Sequence, residues 1–284
     1  MGRCALGFVL ELVNSTSGLL DACTVRAQAY GRHLPDMGRR LSEPDELDFA
    51  PATTVFVCRD KADGRPVGTM RIQSSACGPL LMEGSVSLPP WLRACSRAEV
   101  TRLAVAVGAD PLVRLSLWKA SYLFCMAHRI DWMVVGARNE ALIRNYRRLG
   151  FVDLFGPDQL MPLAHTGGLP HRILAFDNAS ADRQWRQLKH PLYGFVVETE
   201  HAELQACTQV QPHFEHRAGA ALPAAGAYGG PLPGLDAAAP DAVLLEQFET
   251  ILIAPHAGEL LEQGGAGDDE FHRVERSFFE VRQS

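Results

Sequence analysis

The chain has 284 residues, of which 47% are hydrophobic and 21% are charged. This apolar fraction can bury a large core, which excludes a wholly disordered protein. The formal charge is −6, but residues 1–200 hold 23 Lys and Arg against 20 Asp and Glu, whereas residues 201–284 hold 4 against 13. The acidity therefore belongs to the C-terminal part, and the mildly basic first part suits an acidic partner.

Cysteine and histidine spacing gives no sign of a disulfide framework or of a metal site. The 7 cysteines form no CxxC pair, and the 10 histidines show no HExxH spacing, so we predict no metal. No apolar stretch reaches the roughly 18 residues of a membrane helix, and the first residues lack the long apolar region of a signal peptide. No nucleic-acid-binding motif is present. These features predict a soluble cytoplasmic protein with no transmembrane segment and no nucleic-acid partner, and they leave its oligomeric state open.

Hydrophobic periodicity separates strands from helices along the chain. The stretches with strand-like patterns are 6–13, 53–59, 66–74, 98–107, 132–136, 151–155, 172–176 and 193–198. The stretches with helical spacing are 19–33, 110–128, 139–149 and 182–189. Residues 34–52 contain several prolines and acids and are predicted to form a loop. This order predicts an α/β fold with one central sheet flanked by helices.

The composition changes after residue 200. We predict a working domain over residues 1–200 and an acidic extension over residues 201–284. Within 218–240, 18 of 23 residues are Ala, Gly or Pro, which is typical of a low-complexity linker. Residues 242–253 can form one amphipathic helix.

Glu99 lies three residues before Arg102 in a very apolar predicted strand. Residues three apart in a strand point to opposite faces unless a bulge re-aims one of them. Burying a carboxylate in such a strand is unfavourable unless it is paired with another group or has a functional role. Two interpretations stay open: a buried ion pair with an arginine such as Arg71, or a catalytic base whose pKa is raised by burial.

Other motifs accompany this one in a fixed order. They are Arg26-x-x-x-Tyr30, Asp45-x-x-Asp48, Gly68-x-x-Arg71, Glu99-x-x-Arg102-Leu103-Ala104-Val105 and Asn145-Tyr146-x-x-Leu149-Gly150-Phe151. Over about residues 5–200 the chain resembles two related branches of the GNAT acyltransferases. One is the acyl-homoserine-lactone synthases, and the other is the FeeM-type long-chain N-acyl amino acid synthases with their exosortase-associated relatives. The second branch is the closer one, since Leu34 stands where the first usually has tryptophan.

The resemblance implies a GNAT fold, with a mixed and mostly antiparallel sheet, and an N-acyltransferase activity. The implied reaction moves a long-chain acyl group from an acyl-carrier-protein thioester to the α-amine of an amino acid, without a permanently bound cofactor. The implied catalytic residues are Glu99 as base and Tyr146 beside the leaving thiolate. The substrate-binding residues are Arg26, Tyr30, Asp48, Arg71 and Arg102. Arg71 and Arg102 suit a carboxylate because a guanidinium matches it bidentately. Tyr30 and Tyr146 have a second interpretation as packing aromatics.

The connection before the second predicted helix argues against a coenzyme A donor. GNAT enzymes that use acetyl-CoA carry Gly-rich backbone here to bind the pyrophosphate. This chain instead has Asp110 and Pro111, a carboxylate that would cap the helix amides and a residue without an N–H. An acyl carrier protein, whose pantetheine carries a single phosphodiester, fits better. The alternatives are an acyl-CoA-dependent enzyme, an acyl-homoserine-lactone synthase, and a GNAT-fold binding protein without turnover.

A group of arginines on or beside the third predicted helix, at 139–149, suits an acidic carrier protein. Its members are Arg138, Arg144, Arg147 and Arg148. Glu140 lies one turn before Arg144 and lessens this charge, so a simple solvated helix face is the alternative interpretation.

Overall fold

The computed structural model describes residues 2–156 and 158–209. The predicted linker at 218–240 and the predicted helix at 242–253 lie outside the described residues. The strands are β1 Gly2–Arg3, β2 Phe8–Leu12, β3 Thr53–Asp60, β4 Pro66–Ser74, β5 Arg97–Val105, β6 Trp132–Ala137, β7 Val152–Asp153, β8 Met161–Leu163, β9 Leu169–Asp177 and β10 Thr199–Glu200. The helices are α1 Thr16–Gly31, α2 Pro35–Arg40, α3 Pro90–Arg93, α4 Leu112–Ala127, α5 Glu140–Arg148 and α6 Asn178–Gln187.

One sheet organises the described part of the chain. Its strand order is β2-β3-β4-β5-β6-β9-β7, with β8 also paired to β9, while β1 and β10 form a separate pair. Within the large sheet β5 and β6 are parallel, and the other neighbours are antiparallel. The predicted mixed, mostly antiparallel sheet flanked by helices is confirmed.

The two faces of the sheet carry different cores. Phe56 and Met133 point into the larger core, which includes much of α4. Their neighbours point the other way: Val55 and Val57 pack under α1, and Val134 packs in a third apolar cluster. On this second face the two small cores are separate, and the charged side chains of the site lie between them.

Local capping follows the sequence. The Ser15 hydroxyl accepts a hydrogen bond from Gly18 N–H at 3.1 Å and starts α1. The Asn139 side chain accepts one from Leu142 N–H at 2.7 Å and starts α5. Gly150 follows α5 with φ 94°, a left-handed conformation that glycine adopts without strain. Strand β4 begins and ends where the sequence predicts.

The predicted loop at 34–52 is wrong in part, because it contains α2 and a 3₁₀ turn over Glu46–Phe49. Pro35 opens α2, a position that proline favours. Helix α2 then packs very closely on α1, since a Cβ at Gly38 would lie 2.5 Å from the Gly31 Cα. Because this contact joins glycines on two separate helices, the hydrophobic periodicity of the sequence does not reveal it.

The predicted strand at 193–198 is also wrong, because Gly194–Glu198 forms a π turn. Here a tertiary contact overrides the β-branched composition. The Lys119 ammonium on α4 donates to the carbonyl oxygens of Phe195 at 2.7 Å and Thr199 at 2.6 Å. Beyond this turn, Leu204 is buried in the larger core. The division of the chain at residue 200 stays a prediction.

Gly68 on β4 permits α4 to approach the sheet. A Cβ at this position would lie 2.7 Å from Val113 Cγ1 and 3.1 Å from Leu117 Cδ1. Valine cannot turn away easily, because its χ1 is restricted in a helix. Gly68→Ala is therefore expected to lower the free energy of unfolding by about 1–3 kcal/mol, measured by urea denaturation. Gly84→Ala is the control, since a Cβ there meets nothing within 4 Å; equal losses for both variants would contradict the explanation.

Candidate active site

Arg71 on β4 is the centre of a buried charged cluster. Its Nε donates to Thr101 Oγ1 at 3.1 Å across the sheet. Its Nη1 donates to Asp45 Oδ1 at 2.5 Å and to Asp48 Oδ1 at 3.2 Å. Arg71 thereby joins β4, β5 and the turn that precedes β3.

Arg26 extends the cluster into α1. Its Nη1 lies 2.9 Å from both oxygens of Asp48, and both side chains are almost fully shielded from solvent. The turn itself fixes the carboxylates, because Asp45 N–H donates to Asp48 Oδ2 and Leu47 N–H donates to Asp45 Oδ1, both at 3.0 Å. The predicted substrate-binding residues Arg26 and Asp48 therefore bind each other, beneath the more exposed Asp45.

A β-bulge interrupts β5 at Arg102. Thr69 pairs with Ala104 and Arg71 pairs with Thr101, so two residues of β5 oppose one residue of β4. Arg102 has φ 55°, a left-handed conformation that is costly for a side chain of this size. Such bulges re-aim side chains and occur next to active sites.

The bulge turns the Arg102 side chain toward the cluster. Its Nη2 lies 3.4 Å from Asp45 Oδ2. Arg102 and Glu99 therefore lie on the same face of the sheet, whereas in a regular strand they would point to opposite faces. Burial disfavours the ionised form of Asp45, but Arg71 and Arg102 outweigh burial and hold the pKa of that carboxyl below its usual range.

The cluster contains three guanidinium groups and two carboxylates, and so carries one excess positive charge. Several shielded nitrogens have no hydrogen-bond partner among the described residues; they are Arg26 Nε and Nη2, Arg71 Nη2 and Arg102 Nε. Unpartnered buried donors are uncommon in folded proteins. The arrangement is suited to receive one further anionic group.

Glu99 lies beside this cluster, in register with Val134 of β6. It is 1% exposed, and its Oε2 accepts a hydrogen bond from Met82 N–H at 2.9 Å. Burial raises the pKa of Glu99 to about 7, although the Met82 hydrogen bond and the charge of Arg71 act in the opposite direction. The ion pairs of Arg71 are with Asp45 and Asp48, so the alternative Glu99–Arg71 ion pair is not formed.

The sheet opens next to Glu99. Strands β5 and β6 pair only from Arg97–Trp132 to Glu99–Val134, while β6 remains paired with β9 along its whole length. Beyond Glu99 the edge of β5 that faces β6 is therefore free of partner strands. The N–H of Ala106 is not available there, because it donates to Val67 O at 2.9 Å.

Two tyrosines and a further arginine are close enough to interact electrostatically. Burial raises the pKa of Tyr146 to about 12; Tyr30 acts in the same direction and Arg114 acts against it. Tyr30 also interacts with Arg102. The Tyr146 ring packs against Phe151, with centroids 4.9 Å apart. Tyr30 and Tyr146 are thus brought together, and both interact with Arg114, a residue that no sequence motif marks.

The four arginines proposed for the carrier protein divide into two groups. Arg138, Arg144 and Arg148 are exposed. Arg147 is held within the chain, because its Nη2 and Nε lie 2.6 and 3.0 Å from Asp153 Oδ2.

The N-terminus of α4 is capped as the sequence predicts. Asp110 Oδ1 accepts a hydrogen bond from Leu112 N–H at 2.8 Å. Val113 N–H donates to the Asp110 carbonyl oxygen at 2.9 Å, and Pro111 has no N–H. Of the amides at this helix N-terminus, a position that binds phosphate in other proteins, those of Leu112 and Val113 are therefore already engaged.

Residues 2–156 and 158–209 contain neither a candidate membrane span nor a candidate metal site. In that part of the chain, no helix is both long and apolar enough to span a bilayer. The same residues contain no group of three His, Cys, Asp or Glu side chains suited to a metal ion. All seven cysteines lie in these ranges and are free thiols.

The mixed sheet that separates beside a buried carboxylate, together with the ordered arginine and tyrosine motifs, agrees with the GNAT-type acyltransferase fold that the resemblance implies. The family model of the N-acyl amino acid synthase FeeM matches residues 21–166, more than half of the chain. The protein belongs to this family.

Solved structures with a similar fold include three synthases. FeeM, an N-acyl amino acid synthase from uncultured soil microbes, is 17% identical over 62% of this chain and 94% of its own, with a TM-score of 0.48. BjaI, a CoA-dependent acyl-homoserine lactone synthase, is 18% identical over 71% and 99%, with a TM-score of 0.47. LasI, an AHL synthase, is 16% identical over 60% and 90%, with a TM-score of 0.45. No curated protein matches the sequence significantly.

Proposed function

We propose that this protein transfers a long-chain acyl group from an acyl-carrier-protein thioester to the α-amine of an amino acid. The observation that carries the proposal is the position of Glu99. Its carboxyl is desolvated, has a pKa raised to about 7, and stands where β5 and β6 separate. A base with this pKa is well suited to act near neutral pH.

The charged cluster supports an amino acid as the acceptor. Arg71 Nη2 and Arg102 Nε are shielded donors without partners in the described residues. A substrate carboxylate bound to them would neutralise the excess positive charge and satisfy these donors. The α-amine would then lie toward Glu99.

The chemistry requires one proton acceptor and one oxyanion site. The amine attacks the thioester carbonyl in its neutral form, and Glu99, directly or through a water, takes the proton that the nitrogen loses as the C–N bond forms. The tetrahedral oxyanion is stabilised by backbone N–H groups on the free edge of β5. Collapse of the intermediate breaks the C–S bond and releases the pantetheine thiolate and the amide.

Tyr146 assists the leaving group through a hydrogen bond. Its pKa of about 12 keeps the phenol protonated at neutral pH. A thiol has a pKa of about 8.5, so full proton transfer from Tyr146 to the thiolate is unfavourable. Tyr146 therefore donates a hydrogen bond to the developing sulfur anion.

The cap on α4 supports a carrier protein over coenzyme A. The Asp110 carboxylate already holds the Leu112 amide and would repel a pyrophosphate placed at this helix N-terminus. A pantetheine arm brings only one phosphodiester.

The proposed function is tested by supplying the full chain with the same long-chain acyl group on a carrier protein and on coenzyme A. Each of the twenty common amino acids is offered as acceptor, and products are measured by mass spectrometry. We expect an N-acyl amino acid and a higher kcat/KM with the carrier-bound donor. Equal or better use of acyl-CoA would contradict the carrier assignment. A lactone formed only with S-adenosylmethionine would instead indicate an autoinducer synthase. If no acylated product forms although both donors are verified to carry the acyl group, the proposed function is wrong.

The exposed arginines of α5 predict how the carrier binds. We expect the double variant Arg144→Glu, Arg148→Glu to raise the KM for acyl-carrier protein about 5- to 20-fold, since each rim charge contributes about 0.5–1 kcal/mol. The KM for the amino acid should not change. Arg183→Glu with Lys189→Glu, a pair of exposed residues near α6, is the matched control, and the same effect from both pairs would exclude a specific carrier surface.

A further inference from the structure

His165 is a half-buried titratable group that the proposed reaction has not yet used. It lies in the 3₁₀ turn Ala164–Thr166, which joins β8 to β9. Ala164 N–H donates to Ser85 Oγ at 2.9 Å, and the turn contacts the Leu81–Gly84 turn. The sequence contains no spacing that marks this histidine.

The same Leu81–Gly84 turn also holds the candidate base. Met82 in that turn donates its N–H to Glu99, so His165 and Glu99 are fixed by two turns that touch each other. Both side chains interact electrostatically with Arg71 and Arg102. His165 and Glu99 therefore lie around the same pair of arginines.

The surroundings of His165 keep its imidazole neutral. Burial, together with the charges of Arg102, His171 and Arg71, lowers the pKa of His165 to about 4, and Asp45 acts in the opposite direction. A neutral imidazole has one nitrogen that donates and one that accepts. In the tautomer that is protonated at Nε2, Nδ1 is the nitrogen that accepts.

The Nδ1 atom of His165 is shielded from solvent and has no hydrogen-bond partner among the described residues. Leaving a buried polar nitrogen unpaired costs about 1–3 kcal/mol. This cost is removed if a bound ligand supplies the missing hydrogen-bond partner.

We propose that His165 is a substrate-binding residue, whose Nδ1 accepts a hydrogen bond from the α-amine of the acceptor. The inference rests on the proposed function, because it names a residue of that same acceptor site. An amine held near Arg71 and Arg102 is repelled by their charges. Glu99 and His165 are acceptors that interact with both arginines and have no hydrogen bond to either of them among the described residues. With Glu99 as proton acceptor and His165 as a second acceptor, the nitrogen lone pair is aimed at the thioester carbonyl.

Two substitutions separate hydrogen bonding from shape. His165→Leu removes the acceptor atom, and His165→Asn keeps an oxygen near the position of Nδ1. We expect His165→Leu to raise the acceptor KM about 10- to 100-fold, the range that a hydrogen bond to a charged group spans, with the donor KM unchanged. His165→Asn should recover most of the loss. Thermal melting of each variant establishes that it is folded.

A binding measurement separates this inference from the proposed function. Calorimetry compares the binding of the amino acid that the wild type acylates best with the binding of its des-amino analogue, in which hydrogen replaces the amine. If the wild type acylates no amino acid, each of the twenty amino acids is compared with its own des-amino analogue. The wild type should lose affinity when the amine is removed, and His165→Leu should lose much less. That coupling supports the inference even if no acyl transfer is observed, in which case only the proposed reaction fails.

Three outcomes would contradict the inference. If wild type and His165→Leu lose the same affinity with the amine, His165 does not contact it, even where acyl transfer proceeds normally. The same conclusion follows if His165→Leu lowers only the melting temperature, as expected for a histidine that merely accepts a hydrogen bond from Arg102. If no amino acid binds the wild type, both the inference and the proposed acceptor class are wrong.

Discussion

Replacing Glu99 with glutamine is expected to abolish acyl transfer while leaving the protein folded and, above neutral pH, more stable than the wild type. Loss of a general base lowers kcat/KM by about 10²–10⁴-fold. Glutamine keeps an oxygen that accepts the Met82 N–H, so the local hydrogen bond survives. In the wild type, kcat/KM should rise with pH through about 7, where Glu99 loses its proton. The variant should lack that rise.

The gain in stability follows from the direction of the pKa shift. Folding raises the pKa of Glu99 from 4.5 to about 7. The folded state therefore holds this proton more tightly, and the resulting stabilisation is complete below pH 4.5 and is lost as pH rises through about 7. Above that pH the wild type contains a buried charge, and glutamine does not. The stability of Glu99→Gln relative to the wild type should increase by about 1–3 kcal/mol between pH 5 and pH 8.

Urea denaturation at pH 5 and pH 8, together with the pH dependence of kcat/KM, checks both parts of this prediction. Glu198→Gln, at an exposed position outside α5 and the charged cluster, is the control and should change neither quantity. Unchanged activity in Glu99→Gln would show that Glu99 is not the base. Loss of folding at both pH values would show instead that its charge is needed for structure.

Replacing Asp48 with alanine is expected to be the most destabilising single change in the charged cluster. Asp48 is the partner of Arg26 and one of two partners of Arg71, and all three side chains are almost fully buried. Removing one member of a buried ion pair leaves its partner uncompensated and costs about 3–5 kcal/mol. The turn before β3 also loses the carboxylate that holds the Asp45 N–H.

Equilibrium unfolding measures this loss, and Asp36→Ala provides the control. Asp36 pairs with Arg39 at an exposed position, where a salt bridge contributes about 0–1 kcal/mol. If Asp48→Ala does not fold, the double variant Arg26→Met, Asp48→Leu replaces the buried pair with apolar groups and should recover part of the stability. A loss below about 1 kcal/mol in Asp48→Ala would contradict the buried network, given the usual cost of breaking such a pair.

The sequence by itself determined the local structure and the chemical class. Alternating and helical patterns depend on neighbouring residues only, so β4 and the start of α5 agree with prediction. The Asp110 cap was predictable for the same reason. Glu99 stood out because a carboxylate in an apolar strand is rare whatever its surroundings.

The tertiary structure decided which residues meet. Arg71 binds Asp45 and Asp48 instead of Glu99, because a turn some 25 residues away places its carboxylates on β4. The same long-range packing creates the bulge at Arg102 and the separation of β5 from β6. It also brings His165 to the cluster from a later turn. A sequence pattern records only spacing along the chain, whereas these contacts depend on register and burial between distant segments.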